Sequence, residues 1–221
     1  TVYGTLNVAN PFASRQFTYK VEDDKVKDLS RFHLVGNPFT YDIKWSDFNI
    51  IGNVYNFETD QVEAKQLFVN GFAVANGGGY KYHDPNIENS DATIKVGQGF
   101  FVKILENYAT LGYQPNIRSS KEKSNSINVI ASGKAGQDNV VINFAGQSEG
   151  FDKLQNFNKD IATVFVANNG KRYGIANVDD NVAEVELSFV ASQMGHYSIS
   201  LDVNGEFETV TLVDRFTGVE T

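Results

Sequence analysis

The sequence predicts an all-β protein made of two β-sandwich or jelly-roll-like modules of mainly antiparallel strands. Three observations carry that prediction. Apolar and polar residues alternate over many short runs, the pattern of strands with one buried face. Turns rich in Gly and Asn separate those runs. No segment sustains a 3.6-residue apolar period long enough for a convincing helix.

The elements follow in order. TVYGTLNV (1–8) already reads as a strand, and RQFTYKV (15–21) puts Phe17, Tyr19 and Val21 on one face. FHLV (32–35), NVYNF (53–57), LFVNGFAV (67–74), ATIKV (92–96) and GFFVKIL (99–105) continue the pattern. INVIA (127–131), NVVINF (139–144), ATVFVA (162–167) and KRYGIA (171–176) extend it into the second half. AEVELSFV (183–190) points Val185, Leu187 and Phe189 inward, and HYSISLDV (196–203) does the same with Tyr197, Ile199, Leu201 and Val203. FETVTLV (207–213) changes phase between Phe207 and Val210, as at a bulge. Turns are expected at 36–38, 76–80, 132–139, 168–171 and 202–206, where Gly and Asn accept positive φ. Short helix candidates are KVKDLSRF (25–32), ETDQVEAKQ (58–66) and FDKLQNF (151–157).

The polar run RSSKEKSNS (118–126) lacks apolar periodicity and suits a linker or long loop. It divides the chain into a first module, 1–118, and a second, 119–221. Each is long enough for one sandwich, and the two can also share a core.

Composition excludes several functions. The charged fraction of 21% and the 17 Phe and 10 Tyr argue for a folded core rather than general disorder. A net charge of −8, with Lys and Arg scattered among acids, leaves no basic stripe for nucleic acid. Without cysteine there is no disulfide framework, thiolate metal site or cysteine nucleophile. No apolar run reaches the roughly 20 residues of a membrane helix, so no membrane insertion is expected. The opening strand does not read as a secretory leader, so the chain is expected to be a piece of a longer protein.

Few residues invite chemistry. GQSEG (146–150) matches the G-x-S-x-G pattern of a nucleophile elbow, with Asp160, Asp179, Asp180 and His196 downstream. An elbow needs a strand-to-helix turn on a mostly parallel sheet, a context this chain does not predict. Ser148 therefore reads as a loop residue, with Phe151 the buried member of that stretch. No catalytic residue, metal ligand or cofactor is expected. The loop GGGYKYHDPNIENSD (77–91) joins flexible glycines, two amphipathic rings and several oxygen donors. It is a candidate for stacking sugars through Tyr80 and Tyr82 with His83, or for calcium, although it lacks EF-hand spacing. It also lacks the Lys-Ser/Thr ending of a phosphate loop. Trp45, the single tryptophan, reads as a packing anchor or a carbohydrate platform. His33 reads as a strand residue, and Asp179-Asp180 as an Asx-rich turn.

Several segments together resemble one family. FHLVGNPFTYDIKWSDF (32–48) is similar to the "GNPY-P-x-x-I-x-W" segment of large secreted and surface proteins of Bacteroidota. NVYNFET (53–59) resembles the strand that follows it, and IKVGQGFFVK (94–103) their "I-P-x-G-Q-G-F-F-V-K" segment. Arg118 stands where those proteins often carry an Arg before the next module. NVVINFAGQSEGFDKL, RYGIANV, VELSFVASQMGHYSISL and VTLVDRFTGVET resemble the later strands in order. The resemblance spans about 32–221. It departs at Val96, where the family has Pro, and at Ser148-Glu149, where it has Ala-Thr. It implies an exported, non-catalytic β-rich region of a longer protein, followed by a sorting domain for type IX secretion. The expectation is a secreted or outer-membrane-surface module with an adhesive or structural role, or alternatively a carbohydrate-binding module. Its implied partners are other domains of the same chain, glycans, and host or cell-surface proteins.

Overall fold

The computed structural model describes residues 31–84, 92–106, 109–113, 124–146 and 148–221. The predicted strands at 1–8 and 15–21, most of the helix candidate at 25–32, most of the 118–126 linker, Arg118, and Asn86, Asn89 and Asp91 lie outside them.

The first half contains β1 (Phe32–Gly36), β2 (Ile43–Lys44), β3 (Phe48–Asn49), β4 (Ile51–Asn56) and β5 (Gln61–Gln66). It continues with β6 (Phe72–Asn76), β7 (Gly79–His83), β8 (Thr93–Ile94), β9 (Gly99–Lys103) and β10 (Gly112–Tyr113). The second half contains β11 (Asn125–Gly133), β12 (Gly136–Phe144), β13 (Phe151–Asp152), β14 (Thr163–Asn168) and β15 (Lys171–Val178). It closes with β16 (Leu187–Val190), β17 (Ser198–Asn204), β18 (Val213–Asp214) and β19 (Val219–Glu220). A 3-10 turn lies at Trp45–Asp47. The fold is all-β.

A four-stranded antiparallel sheet runs β1-β9-β6-β7. A larger sheet runs β16-β14-β15-β12-β11-β17, with β13 also on β15. Its pairs are antiparallel except β12 with β15, where Val141 faces Ile175 in parallel. The chain makes that parallel step by passing through β13 and β14, since a parallel neighbour cannot be reached by a tight hairpin.

Turn chemistry sets the registers. Gly77 and Gly78, both at positive φ, close the β6–β7 hairpin between Asn76 and Gly79. Asn169 and Gly170 do the same for β14–β15. Both match the two-residue turns whose twist suits a hairpin. Two helix candidates are corrected. Residues 61–66 form β5, an exposed strand held by pairing along β4. Residues 151–152 form β13 on β15, and no helix follows.

Three apolar clusters organise the interior. One lies within the first half around Ile43, Trp45, Phe48, Phe72 and Phe100. A second lies on one face of the large sheet, around Val129, Val140, Ile142 and Val164, with Val185, Leu187, Phe207 and Val210 packed against it. The third draws on both halves: Val69, Ala73, Tyr80 and Tyr82 meet Val141, Phe151 and Ile175. β12 is thus buried on both faces, Val140 and Ile142 toward one cluster and Val141 toward the other. The two halves share a core. Each fully buried large apolar side chain in it contributes roughly 1.5–3 kcal/mol.

Candidate functional site

The residues predicted to bind a ligand lie on β7 and at the 3-10 turn. Successive strand residues point to opposite faces, so Tyr80 and Tyr82 enter the shared cluster while His83 points the other way. His83 stacks on Phe72 at 4.5 Å, with the rings nearly parallel. Trp45 also packs on Phe72 and gives its indole N–H to Asn70 Oδ1 at 3.1 Å. Phe72 therefore links His83 to Trp45, and neither joins the tyrosines.

The exposed-platform reading of these residues is corrected by burial. Trp45 is 3% exposed and Tyr82 1%, and Tyr80 and His83 are buried as well. A sugar needs an open ring face, and packing takes these faces up. Trp45 is the packing anchor that its alternation with Ile43 allowed.

Tyr82 is the centre of the junction. Its backbone N–H donates to Asn139 Oδ1, and its carbonyl accepts from Asn139 Nδ2, both at 2.9 Å. The side-chain amide thus stands in for a neighbouring strand at the edge of β7, which satisfies donor and acceptor together. Asn128 Oδ1 accepts a further hydrogen bond from the same amide at 2.8 Å. The Tyr82 hydroxyl accepts the Leu154 N–H at 2.6 Å. Burial holds the Tyr82 phenol well above its ordinary range.

Gly174 on β15 makes room for this ring, since a Cβ there would lie 2.2 Å from Tyr82 Cε1. The ring is fixed on its other sides and cannot retreat. Gly174→Ala is expected to destabilise the fold by about 1–3 kcal/mol through overpacking. A urea midpoint unchanged from the parent would refute the contact.

Two buried lysines brace the same junction. Lys103 on β9 donates to Gly150 O at 3.0 Å and pairs with Glu149 at 2.8 Å and Asp152 at 3.2 Å. Burial raises the Glu149 carboxyl, but the Lys103 hydrogen bond and charge, with Lys171 and Arg31, outweigh it and the net shift is downward. Lys153 donates to Asp138 Oδ1 at 2.8 Å and Asn139 O at 2.6 Å, and its ammonium lies 4.5 Å from the Tyr82 ring centre. The Lys153 and Asp138 side chains are 3% and 0% exposed. Asp138 Oδ2 also accepts the Val164 N–H at 2.8 Å.

Burial pushes the Lys153 ammonium down to about 8, against the pull of Asp138. Burial also pushes the Asp138 carboxyl up, against Lys153. Both shifts run toward neutral forms, as desolvation requires. An unfolded chain keeps the Lys153 proton up to its ordinary value of 10.5. Between the two values the unfolded state holds more protons, so this group alone makes stability rise with pH there. Heteronuclear NMR of the Lys153 Nζ is expected to show a midpoint near 8. A midpoint at or above the ordinary value would contradict its burial.

Ser148 is exposed, and its Oγ accepts a hydrogen bond from Asn177 Nδ2 at 2.9 Å. An amide N–H in that position cannot take the serine proton. Phe151 is fully buried, as expected of that stretch. Val182 N–H closes the Asp179 turn by donating to its carbonyl at 3.2 Å.

Sequence reasoning missed Lys103, Asp138, Asn139, Lys153 and Gly174. Their signal was faint but present: polar residues inside apolar runs, at GFFVKIL, QDNVVINF and GFDKL. No family model, curated protein or solved structure matches this chain.

Proposed function

We propose that this chain is a non-catalytic module of a larger exported bacterial surface protein, with an adhesive or structural role. Its two halves act as sandwich-like units locked into one stiff element. The observation that supports this most is the Tyr82 junction, where a buried aromatic under the Lys153 ammonium, a backbone-mimicking amide and the ion pairs of buried Lys103 bind the halves together. Such a junction resists separation because parting the halves exposes apolar surface and strands buried charges. The extracellular placement rests on the resemblance of 32–221 to Bacteroidota surface proteins, and other domains of the same chain are its proposed neighbours.

Single-molecule pulling from the two ends tests the structural role. One cooperative event is expected for both halves. Two separate events at low force would overturn it. Surface labelling of intact cells with an antibody to this region tests the placement. For the hydrolase alternative, a fluorophosphonate probe is expected to leave Ser148 unlabelled, because Asn177 offers no base. The carbohydrate-binding alternative needs a site other than the buried tyrosines.

A further inference from the structure

A cleft of about 450 Å³ opens beside the junction, lined by Lys153, Gln155, Asn156, Lys159, Thr163 and Arg172 among others. Its volume is within the range of small-ligand sites. Three cationic side chains and no carboxylate line it, on a chain whose net charge is −8. Lys153 is neutralised from behind by Asp138, so Lys159 and Arg172 supply the net positive charge.

The cleft is held in shape before any ligand arrives. The Arg172 guanidinium lies over the Phe165 ring at 4.8 Å, which orients its fork. The Arg172 carbonyl accepts the Lys153 N–H at 2.7 Å. The Lys159 carbonyl accepts the Ser192 hydroxyl at 2.9 Å, and Asn158 N–H donates to Gly78 O at 2.7 Å. The loop that carries Lys159 is therefore pinned to two other parts of the fold. Such preorganisation reduces the entropy lost on binding.

The polar lining is suited to hydroxyl groups. Asn156 is buried, its Nδ2 donates weakly to Thr163 Oγ1 at 3.4 Å, and its Oδ1 has no hydrogen-bond partner. That oxygen is shielded and packs toward Gly79 rather than the cleft, so the hydroxyl-binding groups of the lining are Gln155 and Thr163.

We propose that this cleft binds a carboxylate-bearing sugar, a uronate residue of an acidic glycan. Arg172 and Lys159 take the carboxylate, a charge-assisted contact that a planar guanidinium makes in bidentate form. Gln155 and Thr163 take ring hydroxyls. This gives the glycan-binding alternative a location distinct from Tyr80 and Tyr82, and it does not rest on the stiff-module role.

Isothermal titration of the full chain with trigalacturonate tests it, with the fully methyl-esterified trisaccharide as the uncharged control. Trigalacturonate is expected to bind and the ester to bind much more weakly. Arg172→Ala and Lys159→Ala are each expected to weaken binding by roughly tenfold or more, the worth of a charged hydrogen bond. Both side chains are exposed, and Trp45 fluorescence on melting reports whether each variant still folds. Three results would each overturn the site: no trigalacturonate binding, equal binding of the ester, or affinity unmoved in folded Arg172→Ala. A sulfated disaccharide that binds where trigalacturonate does not would overturn the carboxylate assignment. Failure here leaves the pulling result untouched, so the two proposals fail separately.

Discussion

Lys153→Ala is expected to destabilise the fold by about 3–5 kcal/mol, the usual consequence of stranding one member of a buried ion pair. Asp138 would keep its Val164 N–H partner but lose its buried cation. The Asn139 carbonyl would lose a donor as well. The double variant Lys153→Met with Asp138→Asn removes both charges and keeps an acceptor for Val164. It is expected to recover most of the loss, because the cost lies in the unpaired charge rather than in the pair's net attraction. Urea unfolding followed by Trp45 fluorescence reads both variants. A loss below about 1 kcal/mol for the single variant would mean that the pair behaves like an exposed one. The site of the probe adds information. Trp45 lies in the first-half cluster and Lys153 in the second half, so a shift in the Trp45 transition also reports coupling between the halves.

Tyr82→Ala is expected to cost a similar amount, about 3–5 kcal/mol, by opening a cavity in the shared cluster. The Asn139 amide would keep its backbone bonds, since those reach the Tyr82 main chain rather than the ring. Tyr82→Phe separates the two contributions of the side chain. It keeps the ring against Gly174 and Phe151 but leaves the Leu154 N–H without its acceptor. About 1–3 kcal/mol is expected from that alone. Native-state amide exchange across β6, β7, β12 and β15 checks the pattern. Protection should fall together in both halves. Loss confined to β6 and β7 would show that the halves are held independently.

Much of the fold was legible in the residues. Short apolar runs in FHLV, GFFVK and NVVINF mark strands, and β1, β9 and β12 form there, with β12 buried on both faces. Asn76-Gly77-Gly78 and Asn169-Gly170 mark hairpins because few other residues tolerate positive φ. Elsewhere the signal failed for a physical reason. QVEAKQ offers only Val62 and Ala64 as an apolar face, so its charged, helix-favouring residues suggested a helix. Its strand state comes from hydrogen bonds to β4. FDKLQNF spaces Phe151, Leu154 and Phe157 like a helix face. Phe151 is taken by the junction and Lys153 by Asp138, which pulls the segment off that path.

The candidate site was less legible. Tyr80 and Tyr82 stood out as rings in a glycine-rich loop, and the residues are well placed, but in a core rather than at a surface. Exposure depends on what the chain brings to the other side of β7. That is β12, more than fifty residues away in sequence, carrying Asn139. Gly174 and Lys153 have meaning only beside Tyr82.

By itself, then, the sequence determined the all-β class, most strand positions, the hairpin turns and the burial of Phe151. These depend on local alternation and on which residues accept a given φ, and both are properties of short segments. The tertiary structure alone decided that the halves share a core, that the buried side chains of Asp138 and Lys153 face each other, and that Arg172 and Lys159 line one cleft. Those are relations between distant segments, set by which sheet faces meet, and no pattern within a single strand records them.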